Sequence, residues 1–153
     1  MAAPAPQESS LGASPGELAA RLVRVFHPAS VLEVGCGDGS LVDALRAMGV
    51  DAAGTDLDDR AWRDASDELR EHLQVRRPDE PHDDKYELVL AIDALADLAP
   101  GDLEAAVRHL TSITGRLVVG TAPVGAVAVE DVAALLATCG FLRSPTSGIG
   151  LLP

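Results

Sequence analysis

The stretch VLEVGCGDGS, from Val31 to Ser40, decides how this chain is read. Val31, Leu32 and Val34 form a short apolar run suited to a buried parallel strand. Gly35, Gly37 and Gly39 follow at alternate positions, and an apolar helical pattern then begins. A strand that turns sharply into a helix presents backbone N–H groups and the positive helix end to an anion. The glycines permit the turn and let a ligand lie against bare backbone. A second strand is expected over Asp51–Thr55, and it delivers Asp56, an acid able to take two ribose hydroxyls. Strand, glycine turn, helix, second strand and acid, in that order, describe a nucleoside-cofactor site.

The spacing narrows the ligand. A dinucleotide fingerprint reads G-x-G-x-x-G, and Ser40 stands where its third glycine belongs. Here the spacing is G-x-G-x-G, with Glu33 two residues before the first glycine. This E-x-G-x-G-x-G resembles the first motif of the class I S-adenosylmethionine-dependent methyltransferases, and Asp56 falls where that family places its ribose-binding acid. From Tyr86 the segment YELVLAIDALADLAPGDLEAAVRHL is similar to the family's FDLVxxxEVLEHLxxxDLxxxLxxL. The resemblance runs from about Val31 to Leu152.

The resemblance implies an α/β fold, a doubly wound Rossmann-like sheet of seven strands with a C-terminal antiparallel hairpin and helices on both faces. It implies S-adenosyl-L-methionine as cofactor, held by Glu33, Gly35, Cys36, Gly37, Asp38, Gly39, Asp56, Leu57 and Asp79. In that picture Gly35, Gly37 and the helix start hold the methionine carboxylate, and Glu33 shapes the turn and orients the amino group. Asp56 grips the ribose, Leu57 forms an apolar wall under the base, and Asp79 meets the adenine amino group. Asp38 has two readings, cofactor contact or helix cap. Two departures stand out: Asp93 replaces the family's usual Glu, and Asp97 stands where many members have His. Asp93 is the best candidate for a catalytic base, because open α/β sheets place their sites at the carboxyl ends of strands. Its other reading is a hydrogen bond within the turn.

Composition sets the class. The 153 residues are 47% apolar and only 3% aromatic, which fits one domain with a core of Ala, Val and Leu. A net charge of −12 with a single lysine, Lys85, argues against nucleic acid or an anionic membrane as partner. No apolar run approaches a membrane span, and the start MAAPAPQESSLGASPG lacks the basic and apolar stretches of a signal peptide. Cys36 and Cys139 form neither a metal nor a disulfide pattern, so no metal site is expected and a reducing cytoplasm is the simplest home.

Taken in order, residues 1–15 are expected to be a disordered Ala, Pro and Ser-rich tail, and 16–153 a single domain. Helices are expected over about Glu17–Phe26, Ser40–Met48, Arg60–Leu73, Asp102–Ile113 and Glu130–Cys139. The third would align Trp62, Ala65, Leu69 and Leu73 on one packing stripe. Further strands are expected at Gln74–Arg77, Leu88–Leu90 and RLVVGT, then at CGFLRS and GIGLL around a turn at PTSG. PDEPHDD reads as a polar loop, with His82 solvated in it. Between Thr121 and Glu130 only small residues intervene, too few for a lid, so the cleft above Asp93 and Asp97 is expected to be open. If the chain is an enzyme acting on a small molecule or other acceptor, a second subunit, as in a homodimer, a partner protein or a large acceptor is expected to close it. The competing expectation is a non-catalytic cofactor-binding or partner-docking module on the same fold.

Overall fold

The computed structural model describes residues 12–81, 83–96, 98–120 and 129–141. The first helix, α1 (Pro15–Phe26), starts where Ser14 and Glu17 close a capping box, with Pro15 in the first turn. Such a cap is worth about 1 kcal/mol. Ala13 is buried beneath it. Residues 12–15 therefore belong to the fold, and the expected tail and helix boundary both move toward the N-terminus; residues 1–11 lie outside the described residues. His27, at φ 46°, ends the helix in the left-handed region.

After α1 come β1 (Ser30–Val34), α2 (Ser40–Ala47), β2 (Asp51–Asp56), α3 (Arg60–Asp64), α4 (Asp67–Arg70) and β3 (Leu73–Val75). Then follow β4 (Leu88–Ile92), α5 (Pro100–Ile113), β5 (Leu117–Gly120) and α6 (Val129–Thr138). All five strands are parallel, in the order β3-β2-β1-β4-β5. The chain winds outward from β1 in one direction and from β4 in the other, so the two strands flank a topological switch point.

Alternation along the strands separates two cores. Val31, Ala52, Leu73, Leu88 and Leu90 pack with Leu18 and Leu22 of α1 and with Leu41, Val42 and Leu45 of α2. Leu32, Val34, Val89 and Ala91 pack on the other side with Leu103, Val107 and Leu110 of α5 and Val132 of α6. The sheet is thus covered on both faces, as an all-parallel sheet requires.

Two expectations are corrected. The single helix over Arg60–Leu73 is two short ones, because Ala65 is extended and Ser66 caps α4 by accepting from the Leu69 N–H at 3.2 Å. Leu73 consequently opens β3, and Trp62 is 44% exposed instead of packed in a core stripe. The seven-stranded sheet is seen as five parallel strands among the described residues. The hairpin expected from Cys139 onward falls almost wholly outside them. Its described part, Cys139–Phe141, folds back on α6, with the Phe141 N–H donating to the Leu136 carbonyl at 3.0 Å. His82, Asp97 and 121–128, and with them the expected open cleft, also lie outside the described residues.

Candidate functional site

The glycine turn leaves the carboxyl end of β1 and is pinned to its neighbours on both sides. The Gly35 and Cys36 N–H groups both donate to the Thr55 carbonyl of β2, at 2.7 and 3.0 Å. On the other side a Cβ on Gly35 would lie 2.8 Å from the Ala94 Cβ, in the loop after β4. Gly35, Gly37 and Gly39 all have positive φ, at 75°, 58° and 77°, so this path is closed to ordinary side chains. Around Gly37 a Cβ would meet nothing within 4 Å, which leaves its backbone open to a ligand. Gly39 backs instead onto Leu73 and Leu69.

The turn N–H groups are partly committed. Gly35 and Cys36 serve Thr55, and Gly37 donates to Asp56 Oδ2 at 2.8 Å. The Gly35 and Gly37 N–H groups are thus engaged within the protein, and the glycines shape the turn. The Cys36 side chain is buried against β2. A Cβ on Gly54 would approach the Cys36 Cβ and Sγ and the Val42 Cγ2 to 2.9 Å each. Burial pushes the Cys36 thiol up to about 12, with Glu33 and Asp56 adding to the effect.

Three carboxyl groups gather at the turn. Asp38 Oδ1 accepts from the N–H of Ser40, the first residue of α2, at 3.0 Å. Asp56, at the end of β2, accepts from Gly37 on Oδ2 and from the Asp58 N–H on Oδ1 at 3.0 Å. Glu33 is 8% exposed, and its Oε2 accepts no hydrogen bond. Burial, and then repulsion from Asp38 and Asp56, holds its carboxyl well above the usual carboxylate range.

The remaining expected residues lie around this centre. Leu57 is 59% exposed beside Asp56, and Val75, 53% exposed, is in register with Asp56 on β3. Asp79 is paired with Arg77 at 2.9 Å, and Arg77 also reaches Asp102 of α5 at 3.4 Å, tying the loop after β3 to that helix. Asp93 follows β4 at the switch point with φ 60°, a strained conformation for a residue with a side chain. Its carbonyl accepts from the Ala96 N–H at 3.4 Å.

Sequence reasoning missed Gly54, Ala94 and Val75. An isolated glycine inside a strand is a signal of close approach, and Gly54 in AAGTD carried it. Nothing local marked Ala94 or Val75. Among the described residues no group of three or more His, Cys, Asp or Glu is arranged to hold a metal ion. No helix among them is long and apolar enough to cross a membrane.

The sequence profile of the family described as a methyltransferase domain matches residues 12–137. No curated protein matches the chain. Among solved structures, the magnesium protoporphyrin IX methyltransferase of Synechocystis PCC 6803, with bound SAM, superposes with a TM-score of 0.69 at 23% identity. That match covers 82% of this chain and 65% of the Synechocystis chain, so this chain spans just under two thirds of it. A TehB-like SAM-dependent methyltransferase of Corynebacterium glutamicum matches at 26% identity and a TM-score of 0.65, covering 81% of this chain and 71% of its own. The glycine turn with its buried Glu33, the acid ending β2 and the matched profile lead to one conclusion: the chain belongs to the class I S-adenosylmethionine-dependent methyltransferase family.

Proposed function

We propose that the chain binds S-adenosylmethionine at the switch point and transfers its methyl group to a small-molecule acceptor. The observation that carries this reading is Glu33, a buried acid whose Oε2 lacks a donor beside a glycine turn open at Gly37. A buried acceptor without a donor is costly, and the ammonium group of an amino-acid cofactor supplies both donors and charge. The residues fit the rest of the group. Asp56 holds one backbone N–H on each oxygen and keeps a lone pair on each for the ribose hydroxyls. Leu57 and Val75 offer exposed apolar surface beside it for the base. Asp79 serves the adenine amino group only by sharing its carboxylate with Arg77.

When bound, the cofactor supplies a methyl group on a sulfonium, and the reaction is an in-line displacement. The chain's part is then to fix the donor and aim the acceptor. Positioning of this kind lowers a barrier by on the order of 7–11 kcal/mol. For an acceptor that must lose a proton, Asp93 is the base of this proposal. Support comes from its strained backbone at the carboxyl end of β4, since strain of this kind collects at functional sites. The short run of small residues between Thr121 and Glu130 supports a cleft completed by a second copy of the chain or a partner protein. A reducing cytoplasm suits the two free cysteines, Cys36 and Cys139.

Incubation with methyl-labelled cofactor and a cell extract tests the reading, because transfer of label reports activity and acceptor together. Calorimetry with the cofactor and its demethylated product accompanies it, and we expect micromolar affinity. Heat with NAD and none with either ligand would sink the assignment. Binding without transfer to any acceptor would favour a non-catalytic module on this fold.

A further inference from the structure

We propose that Glu33 carries a proton in the ligand-free protein and releases it to solvent when the cofactor's ammonium group binds. The inference rests on the cofactor reading above and adds a proton to its binding equilibrium. Its ground is the unequal treatment of three neighbouring acids. Asp38 and Asp56 accept backbone N–H groups from Ser40, Gly37 and Asp58, at 2.8–3.0 Å. Glu33, the most buried of the three, has no donor on Oε2.

Among the described residues, the charged groups acting on Glu33 bring it no positive charge. The turn contributes Asp38 and the thiol of Cys36, β2 contributes Asp56, and β4 places Leu90 in register beside it. The charged neighbours acting on it are both acids. Burial and these two charges favour the neutral carboxyl, and the Cys36 thiol stays neutral beside it.

An ammonium group reverses this balance. It brings an opposite charge and N–H donors to a site that has neither, and the ionised carboxylate becomes the favoured form. At pH 6 the α-amino group of the cofactor is already protonated. The exchange is therefore a carboxylic acid plus an ammonium giving a carboxylate–ammonium pair, with one proton leaving to bulk water.

Calorimetric titration of S-adenosylhomocysteine into the protein at pH 6, in phosphate and in MES, reads the proton directly. These buffers differ in ionisation enthalpy, so we expect observed heats that differ by the amount for close to one proton released. We further expect the Kd to tighten as pH rises above about 4.5, by up to about tenfold per pH unit, and to level off once the raised Glu33 carboxyl ionises unaided. Glu33→Gln keeps the shape and has no proton to lose, so its heats should agree between buffers and its Kd should be flat with pH. Wild-type binding with equal heats and a flat Kd would overturn the inference and leave the cofactor reading standing. Absence of any binding by the wild type would overturn both. Should the Gln variant not fold, the buffer difference and the pH slope of the wild type still decide.

Discussion

Asp56 and Glu33 are two acids with opposite surroundings, and each yields its own expectation. Asp56 is half-buried at the strand end, and its carboxylate accepts from the Gly37 and Asp58 N–H groups. Asp56→Ala should leave the fold intact and remove two charge-assisted bonds, each worth about 1.5–3 kcal/mol, so that calorimetry reads an affinity lower by at least tenfold. Glu33 is instead a cost to the ligand-free fold. Its carboxyl is raised, so the unfolded chain binds fewer protons at neutral pH, and stability falls as pH climbs from about 4.5 through the folded-state value. Glu33→Gln removes this loss. We expect its Tm to match the wild type near pH 4 and to exceed it at pH 7, by roughly 2–4 °C per kcal/mol relieved. Equal midpoints at both pH values would count against a buried neutral Glu33. The acid and the glycines could be read from spacing because the turn demands those residue types. The direction of the Cys36 side chain was not legible, because spacing places a residue in a turn without orienting it. That direction is set by Gly54, distant in sequence.

At the scale of elements, the break between α3 and α4 shows where periodicity misleads. Trp62, Ala65, Leu69 and Leu73 keep helical spacing, but Ser66 offers a cap and Leu73 has a place on the sheet. Tertiary pairing overrides the pattern. Arg70 then holds the two short helices together. Its Nε donates to the Trp62 carbonyl and its Nη2 to the Ala65 carbonyl, both at 2.9 Å, and its guanidinium lies 5.2 Å from the Trp62 ring centre. Trp62 is the sole tryptophan, so its fluorescence reports on this element alone. We expect Arg70→Ala to alter that emission and cost about 1–2 kcal/mol in urea unfolding. Arg70→Lys should not restore it, because an ammonium cannot fork to two carbonyls. Unchanged emission in both variants would show that the α3–α4 junction is held otherwise. Gly54→Ala probes the next element. Its Cβ would press on Cys36 and Val42, so we expect a loss of about 1–3 kcal/mol, with weaker cofactor binding as the turn is displaced.

Over the whole molecule, the doubly wound parallel sheet was legible through the resemblance carried by the glycine motif and the segment from Tyr86, with β1 and β4 as its apolar runs. The hairpin expected at CGFLRS and GIGLL falls almost wholly outside the described residues. What the sheet does for function is to make the crevice part of the cooperative unit. The turn after β1 touches β2 through Thr55 and meets the loop after β4 at Ala94, and these strands carry both cores. A domain of this size unfolds as one body, so a ligand held at the crevice should stabilise all of it. At a hundred times its Kd, a ligand bound only by the native state adds about 2.7 kcal/mol. For 153 residues this corresponds to a rise in Tm of roughly 5–11 °C. We expect S-adenosylhomocysteine to produce that rise in a thermal melt and NAD to produce none. The rise should disappear in Gly37→Val, where a branched side chain fills the open face of the turn. An equal shift in that variant would move the cofactor away from the glycine turn and with it the role assigned to Glu33.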